Sequence, residues 1–289
     1  MQSNLSPDAL LDGPVPGIPG ATIREVSVLP EHLPDSIVIG PYTEAAPGAL
    51  LFTMPGIARY LVRGGSTVDV AVAPGADRMA AKLFLDTSAR GALIHQRGEL
   101  PLNATAVLSP DGVGVAICGV SGAGKSTLAA ALAHRGWFLV ADEITRVSWN
   151  GSVPIASPSD VSVKLWRDAC DMTRLYSDQL RPVRAGLEKY YVPIPSTAEA
   201  VPLRAVVALR IGPDCAVIEI PQTQSSEYLS ECTFRPRLVA ALGRRAAHAR
   251  ILAQVSHGCR IVVLEGARER PIEELADHLS AAIGKIIAG

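Results

Sequence analysis

The sequence predicts an α/β protein preceded by a small β-rich region, and three observations predict it. Apolar residues make up 48% of the chain but aromatics only 4%, so the core must be built from aliphatic side chains, the material of strands backed by helices. Short β-forming runs punctuated by Pro and Gly fill the stretch from Thr22 to about Pro74. After Leu100 an apolar run, a glycine-rich loop, a helix-forming run and a second apolar run follow one another, which reads as strand, loop, helix, strand.

Taken in order, residues 1–20 are rich in Pro, Gly, Ser and Asp without periodicity, and are expected to be a loosely packed lead-in. Residues 21–80, with runs such as SIVIG, ALLFT and TVDVAVAP, are expected to form a small antiparallel sheet. Residues 81–289 are expected to form the main domain. At its start, DRMAAKLFLDTSARGALIHQRG has helical spacing and a stop at Gly98. LPLNATAVLSPDGVGVAICG reads as two strands joined by a Ser-Pro-Asp-Gly turn, the second a buried central strand ending at Gly119. KSTLAAALAHRG is a helix closed by Gly136, and WFLVADE is a buried strand ending in two acids. Beyond it we expect a turn-rich segment from Trp149 to Asp160, a helix over Asp168–Leu180 and one or two strands between Val201 and Ile220. A long helix over Pro236–Ser256, the strand CRIVVLEG and a final helix from Pro271 complete the reading.

Composition excludes several classes. Basic and acidic residues number 27 and 28, so no bulk positive field exists to hold a nucleic acid. No apolar run reaches the length of a membrane span and the N-terminus does not read as a signal peptide, so we expect a cytoplasmic protein. The five cysteines, Cys118, Cys170, Cys215, Cys232 and Cys259, are scattered and never spaced as CxxC, which argues against a disulfide framework or a zinc site.

One motif carries the chemistry. Gly119-Val120-Ser121-Gly122-Ala123-Gly124-Lys125-Ser126 matches G-x-x-x-x-G-K-[ST] in full, with a strand before it and a helix after it. Glycines let successive backbone N–H groups turn toward phosphate oxygens, and the helix start adds its positive dipole end. Gly119, Ser121, Gly122, Ala123, Gly124, Lys125, Ser126 and Thr127 are therefore expected to bind ATP, with Lys125 on the β- and γ-phosphates and Ser126 on Mg²⁺. Asp142 and Glu143 end the next strand and fall beside the loop if the two strands are neighbours. One acid there can hold Mg²⁺ and the other can accept a proton from an attacking hydroxyl.

The stretch GVGVAICGVSGAGKSTLAAALAHRGWFLVADE resembles the catalytic core of HPr kinase/phosphorylase and its wider bacterial kinase-like relatives, which include kinases of lasso-peptide precursors. LIHQRGELPLNATAV before the loop, SVKLW and GLEKYYVP after it, and FRPRLVAALGR farther on look like the same group. The resemblance implies a phosphoenolpyruvate-carboxykinase-like core, a mixed β-sheet flanked by helices. It also implies transfer of the ATP γ-phosphate to serine on a peptide or protein. By position Asp142 would be the general base, Glu143 a metal or supporting acid, Lys125 the phosphate clamp and Ser126 a Mg²⁺ ligand. This chain differs from the family at Asn103, where a histidine is usual, and at Glu143, where the HPr kinases have a second Asp. No copy of the segment linked to phosphorolysis is present, so the reverse reaction is not expected.

Asn103, Lys164, Arg184 and Lys189 are candidates for the acceptor side, where cations can neutralise charge spreading over the transferred group. Arg181 belongs to the same basic set. The arginines of the stretch Arg235–Arg250 read as a solvated helix face, and the histidines, including His95, show no metal-ligand spacing. Two alternatives stay open: a kinase of a small hydroxylated metabolite, and a non-catalytic ATP-binding regulatory protein. A homo-oligomer is compatible with the sequence.

Overall fold

The computed structural model describes residues 11–159, 162–175, 180–184, 186–212, 216–266 and 271–288. The chain divides into two compact units: one takes the residues up to Glu99 together with Arg235–Ala249, the other Leu100–Phe234 together with the chain from Arg250. The segment 81–99, grouped from the sequence with the main domain, thus packs in the first unit.

The first unit is built on seven strands, β1 (Gly13–Pro14), β2 (Thr22–Glu25), β3 (Ile37–Gly40), β4 (Thr43–Ala46), β5 (Ala49–Met54), β6 (Ala58–Arg63) and β7 (Thr67–Val72). They lie in the order β1-β2-β7-β6-β5-β4-β3, antiparallel except for the pair β2 and β7. The expected lead-in is packed over its described part: Leu11, Val15 and Ile18 are buried, and β1 pairs with β2. Three apolar side chains in a Pro- and Gly-rich stretch were enough to anchor it. Residues 1–10 of that expectation lie outside the described residues. The expected helix forms as α1 (Arg78–Phe84), capped by the Asp77 carboxylate, a single π-turn at Leu85–Ala89, and α2 (Arg90–Gln96). Gly98 stops it with φ +73°.

The second unit holds the remaining strands: β8 (Leu100–Leu102), β9 (Ala104–Leu108), β10 (Gly114–Cys118), β11 (Phe138–Ala141), β12 (Thr145–Trp149), β13 (Pro154–Ser157), β14 (Ser162–Trp166), β15 (Arg181–Pro182), β16 (Lys189–Pro193), β17 (Val201–Ile211), β18 (Ala216–Glu219) and β19 (Arg260–Gly266). Its helices are α3 (Lys125–Ala133), α4 (Arg167–Met172), α5 (Ser225–Cys232), most of α7 (Arg245–Gly258) and α8 (Ile272–Ala288), while α6 (Arg237–Ala241) belongs to the first unit. The main sheet is mixed. β10, β17 and β19 run parallel, β9 and β11 add antiparallel on one side, and β18 closes the other. β13, β12 and β8 continue from the start of β17.

Alternation along β10 serves both faces of this sheet. Val115 and Ile117 pack with Leu128 and Leu132 of α3 and Leu279 and Ile283 of α8. Ala116 and Cys118 pack on the other side with Leu229, Ile251 and Val255. Each fully buried Leu or Ile there contributes about 1.5–3 kcal/mol, which fixes the strand that carries the loop. Gly114 opens β10 because a Cβ would run into the Pro202 carbonyl oxygen of the adjacent β17.

Three expectations are corrected. The long helix over Pro236–Ser256 is two helices, because Gly243 takes φ +70° and the Arg244 N–H turns back to the Val239 carbonyl at 2.8 Å, a helix stop. The helix over Asp168–Leu180 ends at Met172: Arg174 sits at φ +58° and Leu175 donates to the Cys170 carbonyl at 2.7 Å. Its part over 176–179 lies outside the described residues. The turn-rich stretch from Trp149 contains β13; its last residue, Asp160, lies outside the described residues, as does Cys215. Cys118, Cys170, Cys232 and Cys259 are free thiols. Among the described residues no helix is long and apolar enough to cross a membrane.

Candidate active site

β10 ends at Cys118, and the chain turns through Gly119–Gly124 directly into α3. Gly122 and Gly124 take φ +81° and +93°, a region that costs other residues about 1–2 kcal/mol. A Cβ on either would meet nothing within 4 Å, so backbone shape demands these glycines and the space over the loop is open. Gly119 is constrained differently: a Cβ there would come within 3.1 Å of the Leu209 carbonyl oxygen and 3.2 Å of the Ala123 Cβ. The loop therefore lies tight against the end of β17. Ser121 is exposed within it, Ala123 donates its N–H to the Val120 carbonyl at 3.1 Å, and Thr127 lies in the first turn of α3.

Lys125 opens α3 and is buried, its Nζ donating to the carbonyl oxygens of Gly119 at 2.9 Å and Val120 at 3.1 Å. Burial holds its ammonium below the usual lysine range, partly offset by the charge of Asp142. Ser126 follows, and its Oγ donates to Asp142 Oδ1 at 2.9 Å.

The route by which Asp142 reaches the loop differs from the expected one. β11 is not the neighbour of β10; β9 lies between them, antiparallel to both. Antiparallel insertion still brings the acid to the loop, because the start of β9 lies level with the ends of both flanking strands: Ala104 opposes Cys118 and Ala106 opposes Ala141. Between them Thr105, fully buried, donates its Oγ1 to Asp142 Oδ1 at 2.7 Å. The Lys164 backbone N–H donates to Asp142 Oδ2 at 3.0 Å. One carboxylate, 0% exposed, thus joins the loop helix, β9 and β14. Such burial of an ionised acid is tolerated because charge-assisted donors replace its water.

Glu143 stands at φ +64°, a strained conformation for a residue with a side chain. Its carboxylate points to two lysines, Lys164 Nζ at 3.0 Å from Oε2 and Lys189 Nζ at 3.2 Å from Oε1. Burial alone would raise its pKa, but the two ammonium groups outweigh it and hold the carboxyl below the usual range. Its side chain keeps 25% of its exposure, so of the two acids it is the one solutes can reach.

The structure thus brings together Lys125, Ser126, Asp142, Glu143, Lys164 and Lys189. Arg184 lies exposed in the turn between β15 and β16, and Asn103 sits where the chain passes from β8 to β9, its N–H donating to the Cys232 carbonyl at 2.8 Å. Among the described residues neither side chain hydrogen-bonds this cluster. Thr105 escaped the sequence reading; its signal was a lone hydroxyl within the apolar run ATAVL, a group that needs a partner once buried. Among the described residues no group of three or more His, Cys, Asp or Glu is placed to hold a metal ion by itself.

No family model matches the chain, and no curated protein matches it in sequence. Among solved structures, the Hpr(Ser) kinase/phosphatase from Coxiella burnetii is similar at 13% identity, over 65% of this chain and 99% of that one, with a TM-score of 0.34. The fold itself is α/β, with mixed sheets flanked by helices.

Proposed function

We propose that this chain is an ATP- and Mg²⁺-dependent kinase that transfers the γ-phosphate to a serine hydroxyl of a peptide or protein. The observation that carries the reading is the 2.9 Å contact between Ser126 Oγ and Asp142 Oδ1, which joins the helix-starting serine of the glycine loop to a buried strand-end acid. A loop that only turned a corner would have no use for a buried carboxylate at its serine.

The residues fit the groups they would receive. The space over Gly122 and Gly124 is open where phosphate oxygens would sit, and the hydroxyl of Ser126 and carboxylate of Asp142 are the hard oxygen donors that Mg²⁺ takes. A site completed by phosphate oxygens and water needs no larger acidic cluster. When bound, Mg²⁺ would neutralise charge on the β- and γ-phosphates. Lys125 would exchange its two loop carbonyls for phosphate oxygens, which carry the full negative charge that carbonyls do not.

Exposure divides the acids differently from the reading by position. Asp142, buried against Ser126 and Thr105, would serve the metal side, whereas Glu143, reachable and flanked by Lys164 and Lys189, would serve the acceptor. The serine Oγ would attack the γ-phosphorus as the bond to the β,γ-bridging oxygen breaks, ADP leaving and the hydroxyl proton passing to Glu143. Lys164 and Lys189 would meet the charge spreading over the transferred group. Thr105 and the Lys164 N–H hold Asp142 in place, so little reorganisation is needed at the moment of transfer.

Kinetics of Glu143→Gln and Asp142→Asn with labelled ATP test this. Glu143→Gln should keep nucleotide affinity while the transfer rate falls about 10²–10⁴-fold, and Asp142→Asn should weaken Mg-ATP as well as slow transfer. Wild-type protein that binds Mg-ATP but labels no serine in a peptide library would contradict the proposal.

A further inference from the structure

We propose that the outward face of the small sheet β14-β16-β15 docks the acceptor, and that it selects a serine flanked by carboxylates, an acidic peptide segment. This rests on the kinase reading for the identity of the serine, but the charge selection is a property of the face itself.

The register defines the face. Trp166 opposes Lys189, and Lys164 and Arg181 both oppose Tyr191. Alternation then places Lys164, Trp166, Lys189, Tyr191 and Arg181 on one side, while Val163, Leu165 and Val192 bury into the core on the other. On the outward side the cations lie over the rings: Lys189 Nζ is 5.9 Å from the Trp166 centroid, and Lys164 Nζ and the Arg181 guanidinium are 5.9 and 4.7 Å from that of Tyr191. Such contacts favour these positions by about 0.5–1 kcal/mol each at exposed sites.

Charge and exposure point to the occupant. Among the described residues of the face, three cations stand against one carboxylate, that of Glu143, to which two of them reach. Arg167 and Glu188 at the end of the sheet neutralise each other at 3.1 Å. Arg181 is exposed, and Trp166, beside Lys189, keeps 48% of its surface in solvent and offers an apolar platform between the cations. A peptide laid over Trp166 would bring its acceptor hydroxyl to Glu143 and its flanking carboxylates to exposed Arg181 and half-buried Lys189, while Lys164, itself buried, adds its charge from beneath. An acidic peptide is favoured over single-stranded nucleic acid because the chain as a whole carries net charge −1.

The test uses the full chain with ADP and Mg²⁺ and three fluorescent, end-blocked peptides: Glu-Glu-Ser-Glu-Glu, Gln-Gln-Ser-Gln-Gln and Lys-Lys-Ser-Lys-Lys. Anisotropy should show the glutamate peptide binding about 10-fold or more tighter than the glutamine one, with the preference shrinking as NaCl rises from about 0.05 to about 0.5 M. Arg181→Gln, with its melting temperature as a fold control, should weaken the glutamate peptide about 3- to 10-fold and leave the glutamine peptide unmoved. Equal binding of the acidic and neutral peptides, tighter binding of the lysine peptide, no binding of the glutamate peptide, or its displacement by decathymidylate at lower concentration would each overturn the proposal, whatever the variant does. Replacing ADP with labelled ATP separates the two readings. Selective binding without transfer would remove the kinase and leave the docking face, and transfer indifferent to flanking charge would do the reverse.

Discussion

Thr105→Val isolates one of the contacts that place Asp142. Valine replaces a hydroxyl by a methyl of similar shape, so no cavity opens, and what disappears is one 2.7 Å donor to a carboxylate that is 0% exposed. A hydrogen bond to a buried charge is worth about 1.5–3 kcal/mol, and a small apolar gain from the methyl offsets part of it, leaving a loss of about 2 kcal/mol. For a chain of this size that lowers Tm by about 4–8 °C. All three tryptophans, Trp137, Trp149 and Trp166, lie in the second unit, so urea melts followed by tryptophan fluorescence report the unit that contains the substitution. The decisive arm repeats the substitution in Asp142→Ala. With the carboxylate gone the Thr105 hydroxyl has lost its acceptor, and the same change should cost less than about 0.5 kcal/mol, giving a coupling of about 1.5–2 kcal/mol. An equal cost in both backgrounds would show that Thr105 acts through packing alone, and the account of how Asp142 is held would be wrong.

Other outcomes follow from the same geometry. Gly114→Ala should destabilise the second unit by about 1–3 kcal/mol in the same melts, because β17 leaves no room for a Cβ; an unchanged midpoint would mean the strands are farther apart. Lys125→Met should abolish detectable ATP binding by calorimetry, yet shift Tm by no more than about 2 °C either way, since burial already disfavours the ammonium it removes. His248 has its folded pKa lowered by burial, so the unfolded chain takes up a proton that the folded one refuses. Its effect on stability is nil well above pH 6.5 and grows unfavourable as pH falls from 6.5 toward the folded value; His248→Gln should flatten that part of the stability-pH curve, and an unchanged slope would refute the assignment.

What could be read from the sequence was local. The loop, the helix behind it and the acid pair were legible because strand, glycines, lysine and serine are contiguous, and each demands a specific backbone shape. The helix breaks at Gly243 and Arg174 were not, because amphipathic spacing continues through them while a single left-handed residue ends the helix. Thr105 and the lysines of β14 and β16 lie far from Asp142 and Glu143 in sequence, and no local pattern says that β9 will insert between the loop strand and the acid strand. SVKLW and GLEKYYVP were marked by resemblance, but their pairing, which makes one cationic face of two segments, exists only in the folded register. Assigning roles to the acids by position also passed over their difference in exposure, Asp142 being buried and Glu143 partly exposed, on which the proposed division of roles rests.

The central claim, that the glycine loop and Asp142 form a phosphoryl-transfer site, is tested most directly by a single-turnover experiment. The protein is loaded with γ-labelled ATP and Mg²⁺, mixed with serine-containing peptides, and the labelled product is located by mass spectrometry. The account predicts phosphoserine from the wild type and none from Asp142→Ala or Lys125→Ala. Label that appears undiminished in both variants, or only as free phosphate from the wild type, would contradict it.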